Sequence, residues 1–173
     1  MLAILQMLED RADQDKFEAL YHAYRGLLFY VANRILQNTQ DAEDAVQQTF
    51  LKIAENLEAV AQPVHPKTRA LVAIIAERTA IDLYRAKQRH PTVDLDELPL
   101  FYTDQLPEEG SLSAAITALP SRYRQVILLK YHLGYSNGEI GALLGCTPEG
   151  ISQIAHRAKE KLTIILEQKE DAI

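Results

Sequence analysis

Residues 136–161 constrain the fold more than any other stretch, because they contain two helix starts on either side of a glycine turn. Ser136, followed three residues later by Glu139, has the pattern of a capping box and predicts a helix that begins directly after the serine. Gly145 suits the left-handed residue that ends such a helix. Thr147, followed by a proline, predicts a second helix start. The stretch therefore predicts a helix-turn-helix, whose second helix fits the DNA major groove, although a helical hairpin in an all-α protein has the same pattern.

Apolar residues recur every three to four positions along most of the chain, and alternating runs are scarce. The chain has 173 residues, 47% of them hydrophobic, which is enough for one domain or two small ones with packed cores. The spacing predicts an all-α fold. Cys146 is the only cysteine, which excludes a disulfide framework and suits a reducing cytoplasm. We find no signal peptide and no apolar run near the roughly 20 residues that cross a bilayer, so we expect a cytoplasmic protein without membrane insertion.

The first 90 residues have the spacing of three long helices. Asp15, Thr39 and Lys67 are their predicted starts, and the helices should reach about Leu36, Leu57 and Arg89. In the second helix, the apolar spacing places Phe50 on the inner face. In the second half of the chain, we expect one helix from Leu112 to Ala118 and another from Ser121 to His132. Both should precede the helix-turn-helix.

Charge is distributed unevenly around an overall net charge of −6. Residues 66–90 carry six bases and two acids, whereas residues 91–115 carry six acids and no base. The prolines and acids of residues 91–110 predict a linker between two small helical domains, residues 1–90 and 111–173. The bases of the third helix favour phosphate contact, since Arg78, Arg85 and Arg89 recur at spacings of seven and four, although helical charges most often form a solvated face.

The sequence contains no recognisable combination of catalytic residues. No two of the five histidines are four residues apart, which argues against a helical zinc pair, and no glycine-rich phosphate loop is present. The acids Asp41, Glu43 and Asp44 cluster, but at a helix start they complement the helix dipole or form a contact surface. We therefore expect no enzyme activity, no cofactor and no metal site.

Four stretches, residues 41–50, 75–85, 119–126 and 139–159, carry motifs whose order and identity are informative together. They resemble the motifs of the extracytoplasmic-function (ECF) sigma factors of bacterial RNA polymerase. Residues 41–50 resemble the family's D-A-E-D-x-x-Q-x-x-F stretch. Residues 75–85 are similar to its I-A-x-N-x-A-I-D-x-x-R helix, and residues 119–126 and 139–159 resemble its C-terminal DNA-binding domain. The resemblance covers roughly residues 15–166. It implies a region-2-like domain over residues 1–90 and a region-4-like helix-turn-helix domain over residues 111–173.

The resemblance also implies roles for individual residues. One set would contact core RNA polymerase, a second would hold the −10 promoter element, and a third would recognise the −35 element; the loop at residues 60–65 would capture an unstacked base. The three sets are, in that order, Asp41, Glu43, Asp44, Gln47 and Phe50; Lys67, Arg69, Arg78, Arg85 and Arg89; and Thr147, Ser152, Gln153, His156, Arg157 and Lys159.

The chain departs from the family pattern at several of these positions. Glu77 and Arg78 stand where an Arg and an Asn are usual, and Leu71 stands near a usual Trp. In the recognition helix, Gly150 and Ile154 replace a usual Thr and Arg, and Ser152 replaces a Lys. Because Arg is the residue that most often makes the bidentate contact to guanine, we expect weak or unusual promoter recognition.

The resemblance implies a sigma factor that binds core polymerase and promoter DNA; many relatives are held by an anti-sigma partner. Two alternatives stay open at this point. One is a helix-turn-helix regulator that binds DNA without polymerase. The other is a sigma-like adaptor with weakened DNA recognition, which the substitutions at Glu77, Gly150 and Ile154 motivate.

Overall fold

The computed structural model of the chain describes residues 1–87 and 110–171, and every regular element in these two ranges is helical. The all-α prediction is confirmed. The chain divides into two compact units, Met1–Val93 and Asp94–Ile173. The predicted linker lies outside the described residues, apart from Gly110. The helices are α1 (Leu2–Leu5), α2 (Arg11–Leu36), α3 (Thr39–Glu55), α4 (Pro66–Lys87), α5 (Ser111–Thr117), α6 (Ser121–Ile127), α7 (Asn137–Leu144) and α8 (Pro148–Glu170).

Three long helices form the core of the first unit. Helix α2 packs against both α3 and α4, and α3 also packs against α4. Helix α4 is buried continuously from Ala70 to Glu77, because its small and branched apolar residues let both neighbours approach it closely. As a result, the exposed residues of α4 lie before Ala70 and after Glu77, toward the two ends of the helix. The largest buried side chains of this core are Phe17, Leu20, Leu28, Ile35, Phe50, Ile53, Leu71, Ile74, Ile75 and Ile81.

Helix α2 begins at Arg11, one turn before the predicted start at Asp15. Asp10 has extended backbone angles, and its side chain accepts a hydrogen bond of 3.0 Å from the N–H of Ala12. This extra turn has a single apolar residue, Ala12, among polar ones, so the apolar spacing does not reveal it. The turn matters for packing because it places Phe17 well inside the helix, where its ring is fully buried.

The other predicted bounds in this unit are close to the observed ones. Helix α3 begins at Thr39 as expected, with Asn38 as its cap, but it ends at Glu55, and a short 3-10 helix, Leu57–Ala59, follows. Helix α4 begins one residue earlier than predicted, at Pro66, and is described to Lys87. Arg89, the predicted end, lies outside the described residues.

The second unit packs α5, α6 and α7 against the long helix α8. A buried arginine joins two of its elements: Arg124 of α6 is 1% exposed, and its Nη1 donates to the carbonyl oxygens of Thr117 at 3.2 Å and Leu119 at 3.0 Å. These carbonyls belong to the last turn of α5 and the residues that follow it, where a helix leaves its oxygens without partners. The guanidinium therefore fixes the end of α5 against α6.

The helix that was predicted to run from Ser121 to His132 changes its geometry part of the way along. It is α-helical to Ile127 and continues as a π-helical turn, Leu128–His132. In this turn the N–H of Leu133 donates to the carbonyl of Leu128 at 2.8 Å, across five residues instead of four. The wider turn keeps Leu128, Leu129 and Leu133 all buried in the core.

None of the helices between residues 1 and 87 or between 110 and 171 combines the length and the apolar character that a membrane crossing requires.

Candidate nucleic-acid and protein interfaces

Acidic side chains surround the start of helix α3. Asp44 is exposed, whereas Glu43 and Asp41 are half-buried and bridged by bases of neighbouring helices. Arg25 of α2 donates from Nη2 to both carboxylate oxygens of Glu43, at 3.2 and 3.3 Å. Lys87, at the end of α4, donates to the carboxylate of Asp41. The structure thus brings all three predicted acids together on one surface, on which Asp44 is the most accessible carboxylate.

Phe50 lies beneath this surface and not on it. Its side chain is 1% exposed, and its ring contacts Phe17 edge-on at 5.8 Å between centroids and Tyr21 at 4.8 Å. The family resemblance placed Phe50 at or near the partner contact, whereas the apolar spacing placed it inside, and the structure agrees with the spacing. Phe50 therefore supports α3 from the core. Gln47, which precedes it by about one turn, is exposed and stays a predicted contact.

Three of the predicted bases of α4 lie on one face of the helix, and Arg69 lies on another. Lys67 and Arg85 are exposed, and the spacing of eighteen residues between them brings both to the same face as Arg78. The guanidinium of Arg78 is held on the helix by Asp82, with 3.2 Å between Nε and Oδ2, and its side chain is 15% exposed. Arg69 is exposed on that other face, where its positive charge acts to lower the pKa of Tyr24 of α2. Arg89 lies beyond the described part of α4.

The loop at residues 60–65 is fixed by hydrogen bonds from two helices. Tyr24 Oη donates to the carbonyl of Pro63 at 2.6 Å, and Thr68 Oγ1 donates to the carbonyl of Gln62 at 2.8 Å. At the end of the loop, His65 Nδ1 accepts from the N–H of Lys67 at 3.2 Å. The side chain of Val64 remains 93% exposed at the tip. The loop is therefore held in place while it presents an apolar side chain to solvent.

We expect Tyr24→Phe to lower the free energy of unfolding by about 1 kcal/mol, because the carbonyl of Pro63 loses its donor. Burial raises the pKa of Tyr24 above its ordinary value of 10.0, and nearby Arg69 partly offsets this rise. Below pH 10 both the folded and the unfolded chain keep the phenol proton, so the contribution of Tyr24 is complete there. It should be lost as the pH rises through the raised pKa.

Urea titrations of wild type and Tyr24→Phe at a series of alkaline pH values measure this difference. The gap between the two proteins should be constant below pH 10 and should close above it. A gap that widens with rising pH would contradict the burial of the phenol.

The helix-turn-helix has the local geometry that the sequence predicts. The N–H of Glu139 donates to Ser136 Oγ at 3.2 Å, and the N–H of Ser136 donates to Glu139 Oε2 at 2.8 Å, which completes the capping box. Gly145 ends α7 with a φ of 70°, in the left-handed region. The turn is also very close to α7, since a Cβ at Gly141 would lie 2.5 Å from the carbonyl oxygen of Cys146. The position of α8 relative to α7 is therefore closely defined.

Helix α8 has a polar exposed face along its first three turns. Ser152, Gln153, His156 and Arg157 are all exposed, as the prediction requires. Thr147 caps the helix as predicted, because its Oγ1 accepts from the N–H of Gly150 at 3.1 Å, and it is also exposed.

Lys159, also predicted to contact DNA, lies toward the side of α8, where its Nζ is 4.5 Å from the centroid of the Tyr131 ring. This distance is typical of a cation–π contact. Its ammonium is therefore engaged within the unit.

Two further positions change the description of this face. Glu149 is exposed in the first turn, one helical turn before Gln153, and the sequence analysis missed it although the spacing of four residues indicates a shared face. Ile154, which the sequence analysis treated as a lost DNA contact, is 6% exposed and packs in the core. Its identity therefore does not weaken the DNA-facing surface directly. That surface has Glu149, Gln153 and His156 at its centre.

Two family models match the chain in the same order as its two units. The model described as Sigma-70 region 2 matches residues 20–90, and the model described as Sigma-70, region 4 matches residues 109–162. The first match contains most of α2, all of α3 and α4, and the second contains the helix-turn-helix.

Curated relatives match over nearly their whole length. The ECF RNA polymerase sigma factor ShbA of Streptomyces griseus is 30% identical over 171 residues, which cover 90% of this chain and 89% of the relative. The ECF RNA polymerase sigma factor SigW of Bacillus subtilis is 27% identical over 169 residues, which cover 88% of this chain and 89% of the relative. Region 2, region 4 and these relatives together place the chain in one family: it belongs to the ECF sigma factors of RNA polymerase.

Proposed function

We propose that the chain binds core RNA polymerase through the outer face of α3, holds the −10 element with α4 and the loop at residues 60–65, and places α8 in the major groove of the −35 element. As an ECF sigma factor, it directs the polymerase to promoters and supports promoter opening in transcription initiation. The alternative of a helix-turn-helix regulator that acts without polymerase is not favoured, because region 2 matches as well as region 4.

The strongest support for this assignment of surfaces is that each unit leaves a polar face uncovered on an otherwise packed helix. In the first unit this is the start of α3 around Asp44, and in the second it is the face of α8 around Gln153. Acids favour a basic protein surface, and a glutamine at a recognition helix pairs well with adenine. The two faces therefore have the chemistry of a protein contact and a base contact, respectively.

The exposed bases of α4 suit contact with the DNA backbone. Lys67 and Arg85 share a face of the helix, and the exposed Val64 lies in the adjoining loop. Basic side chains hold phosphates, and an apolar side chain near Lys67 in the chain can stack against a base that has left the duplex. Promoter opening would then use binding energy alone, so we propose that the chain is not an enzyme and acts in the cytoplasm with the polymerase.

The recognition face of α8 predicts unusual promoter preference. Its centre carries one acid, one amide and one imidazole, and Arg157 lies to one side. Such a face favours adenine and cytosine contacts over the arginine–guanine contact. We also propose that an anti-sigma partner regulates the chain, as the family resemblance implies; no residue of this chain identifies that partner.

Sequencing the transcripts that core polymerase makes with and without this protein tests the proposed function. We expect a set of start sites that appears only when the protein is present, with a shared element upstream. A protein that co-purifies with core polymerase but gives no start sites would instead be an adaptor.

The acidic surface of α3 is tested by Asp44→Arg. We expect this charge reversal to lower the affinity for core polymerase by about tenfold, because a like charge then faces a basic surface. Asp15→Arg is the matched control, since Asp15 is also exposed but lies on α2 outside the proposed contact. Fluorescence anisotropy of labelled protein titrated with core polymerase measures both. Equal losses in the two variants would mean that net charge, and not the α3 surface, determines binding.

A further inference from the structure

The ion pair between Asp41 and Lys87 joins two helices that the proposed function assigns to different partners. Asp41 lies in the first turn of α3, the helix proposed to contact polymerase. Lys87 ends the described part of α4, the helix proposed to hold DNA, and its Nζ donates to Asp41 Oδ1. A carboxylate at a helix start and an ammonium at a helix end are each favoured by the local helix dipole. The pair is thus a stable arrangement of the chain on its own.

A second ion pair on the same surface has different geometry. A single nitrogen of Arg25, Nη2, donates to both carboxylate oxygens of Glu43, and the two side chains are 51% and 41% exposed. Lys87 is a single-point contact on a flexible stem, and its side chain is 52% exposed. Such exposed pairs contribute at most about 1 kcal/mol, so a partner can displace them at little cost. Both pairs are exposed enough to exchange, and Lys87 is the base whose release would affect α4 as well as α3.

We propose that Lys87 is an internal competitor of the polymerase for Asp41, and that core binding displaces it. This inference rests on the proposed binding of polymerase to the α3 surface. In the free chain, the ammonium of Lys87 occupies one of the carboxylates that a basic partner needs. When a cation of the polymerase takes its place on Asp41, Lys87 is released in the last described turn of α4. The pair therefore lowers the affinity for core polymerase and makes the end of α4 respond to binding.

The test is a double-mutant cycle on core affinity, with the full chain and purified core polymerase. Lys87→Gln should raise the affinity by about threefold, since removal of an exposed pair of up to about 1 kcal/mol corresponds to up to about fivefold. Arg11→Gln removes the same charge from an exposed position at the start of α2 and should leave the affinity unchanged. In an Asp41→Asn background, Lys87→Gln should have no effect, because the competition no longer exists.

Three results would overturn the proposal: no gain for Lys87→Gln, an equal gain for Arg11→Gln, or a gain that persists in the Asp41→Asn background. Failure of the proposed function has a different signature. In that case wild type itself does not bind core polymerase, and the proposal about Lys87 is lost with it. Circular dichroism of each variant, compared with wild type, ensures that a changed affinity is not a folding defect.

Discussion

Phe50→Ala is expected to lower the free energy of unfolding by about 3–5 kcal/mol, the range for loss of a large buried aromatic side chain. The ring of Phe50 is 1% exposed and packs between Phe17 and Tyr21, so its removal leaves a cavity that α2 and α3 can close only in part. A loss of this size is a large share of the stability of a typical domain. Urea unfolding followed by far-UV circular dichroism measures it, and the transition of the first unit should move to lower urea.

Gln47→Ala is the matched control for this experiment. Gln47 lies on the same helix but is exposed, and surface substitutions usually change stability by less than about 0.5 kcal/mol. Any loss of polymerase affinity in Phe50→Ala should disappear when binding is corrected for the fraction of folded protein, whereas a loss in Gln47→Ala should not. If Phe50→Ala retains wild-type stability and still loses affinity, then the ring is a direct contact and its burial in the free chain is not maintained.

Gly141→Val is expected to destabilise the second unit by about 2–3 kcal/mol and to abolish specific binding to the −35 element. A Cβ at this position would lie 2.5 Å from the carbonyl oxygen of Cys146, and the obstacle is backbone, which cannot rotate away as a side chain can. The turn would have to open, and α8 would move with it. Overpacking of a closely packed site typically costs about 1–3 kcal/mol, and the rigid obstacle places this site at the upper end.

Gly138→Ala gives the comparison within the same helix. A Cβ at Gly138 meets only the Ser136 side chain, at 3.9 Å, so we expect unchanged or higher stability, by up to about 1 kcal/mol. Thermal unfolding and an electrophoretic shift with promoter DNA measure both variants. If the Gly141→Val protein has the melting temperature of wild type and retains DNA specificity, then the contact between α7 and the turn does not position α8.

Signals that act over a few residues were enough to predict much of this fold. The capping box at Ser136, the left-handed Gly145 and the cap at Thr147 each depend on neighbouring backbone only, and each is observed as expected. The same holds for the long apolar stripes, which fix α3 and α4 to within two residues at the described ends. The early start of α2 was missed because its first turn is mostly polar and has no apolar spacing to detect.

The candidate surfaces were harder to predict, since they depend on which side chains the packed helices bring together. Asp41 and Lys87 are 46 positions apart, and only the packing of α3 against α4 makes them neighbours. Lys159 was predicted to contact DNA from the family resemblance, and the sequence did not reveal that its ammonium lies over the ring of Tyr131. Ile154 looked like a lost contact from the family pattern, but its position faces the core. In each case the sequence supplies the chemical group, and the tertiary structure decides its partner.

The π-helical turn at Leu128–His132 has a consequence for how this chain can change in evolution. Such a turn contains one residue more than the α-helical turn that it replaces. A single-residue insertion into an α-helix would have the same effect. Deletion of one residue there would return the segment to an ordinary α-helix without moving the elements on either side. Gain or loss of a residue can therefore be absorbed at this point, so the connection between α6 and the helix-turn-helix can vary in length among homologues while the DNA-facing helix keeps its place.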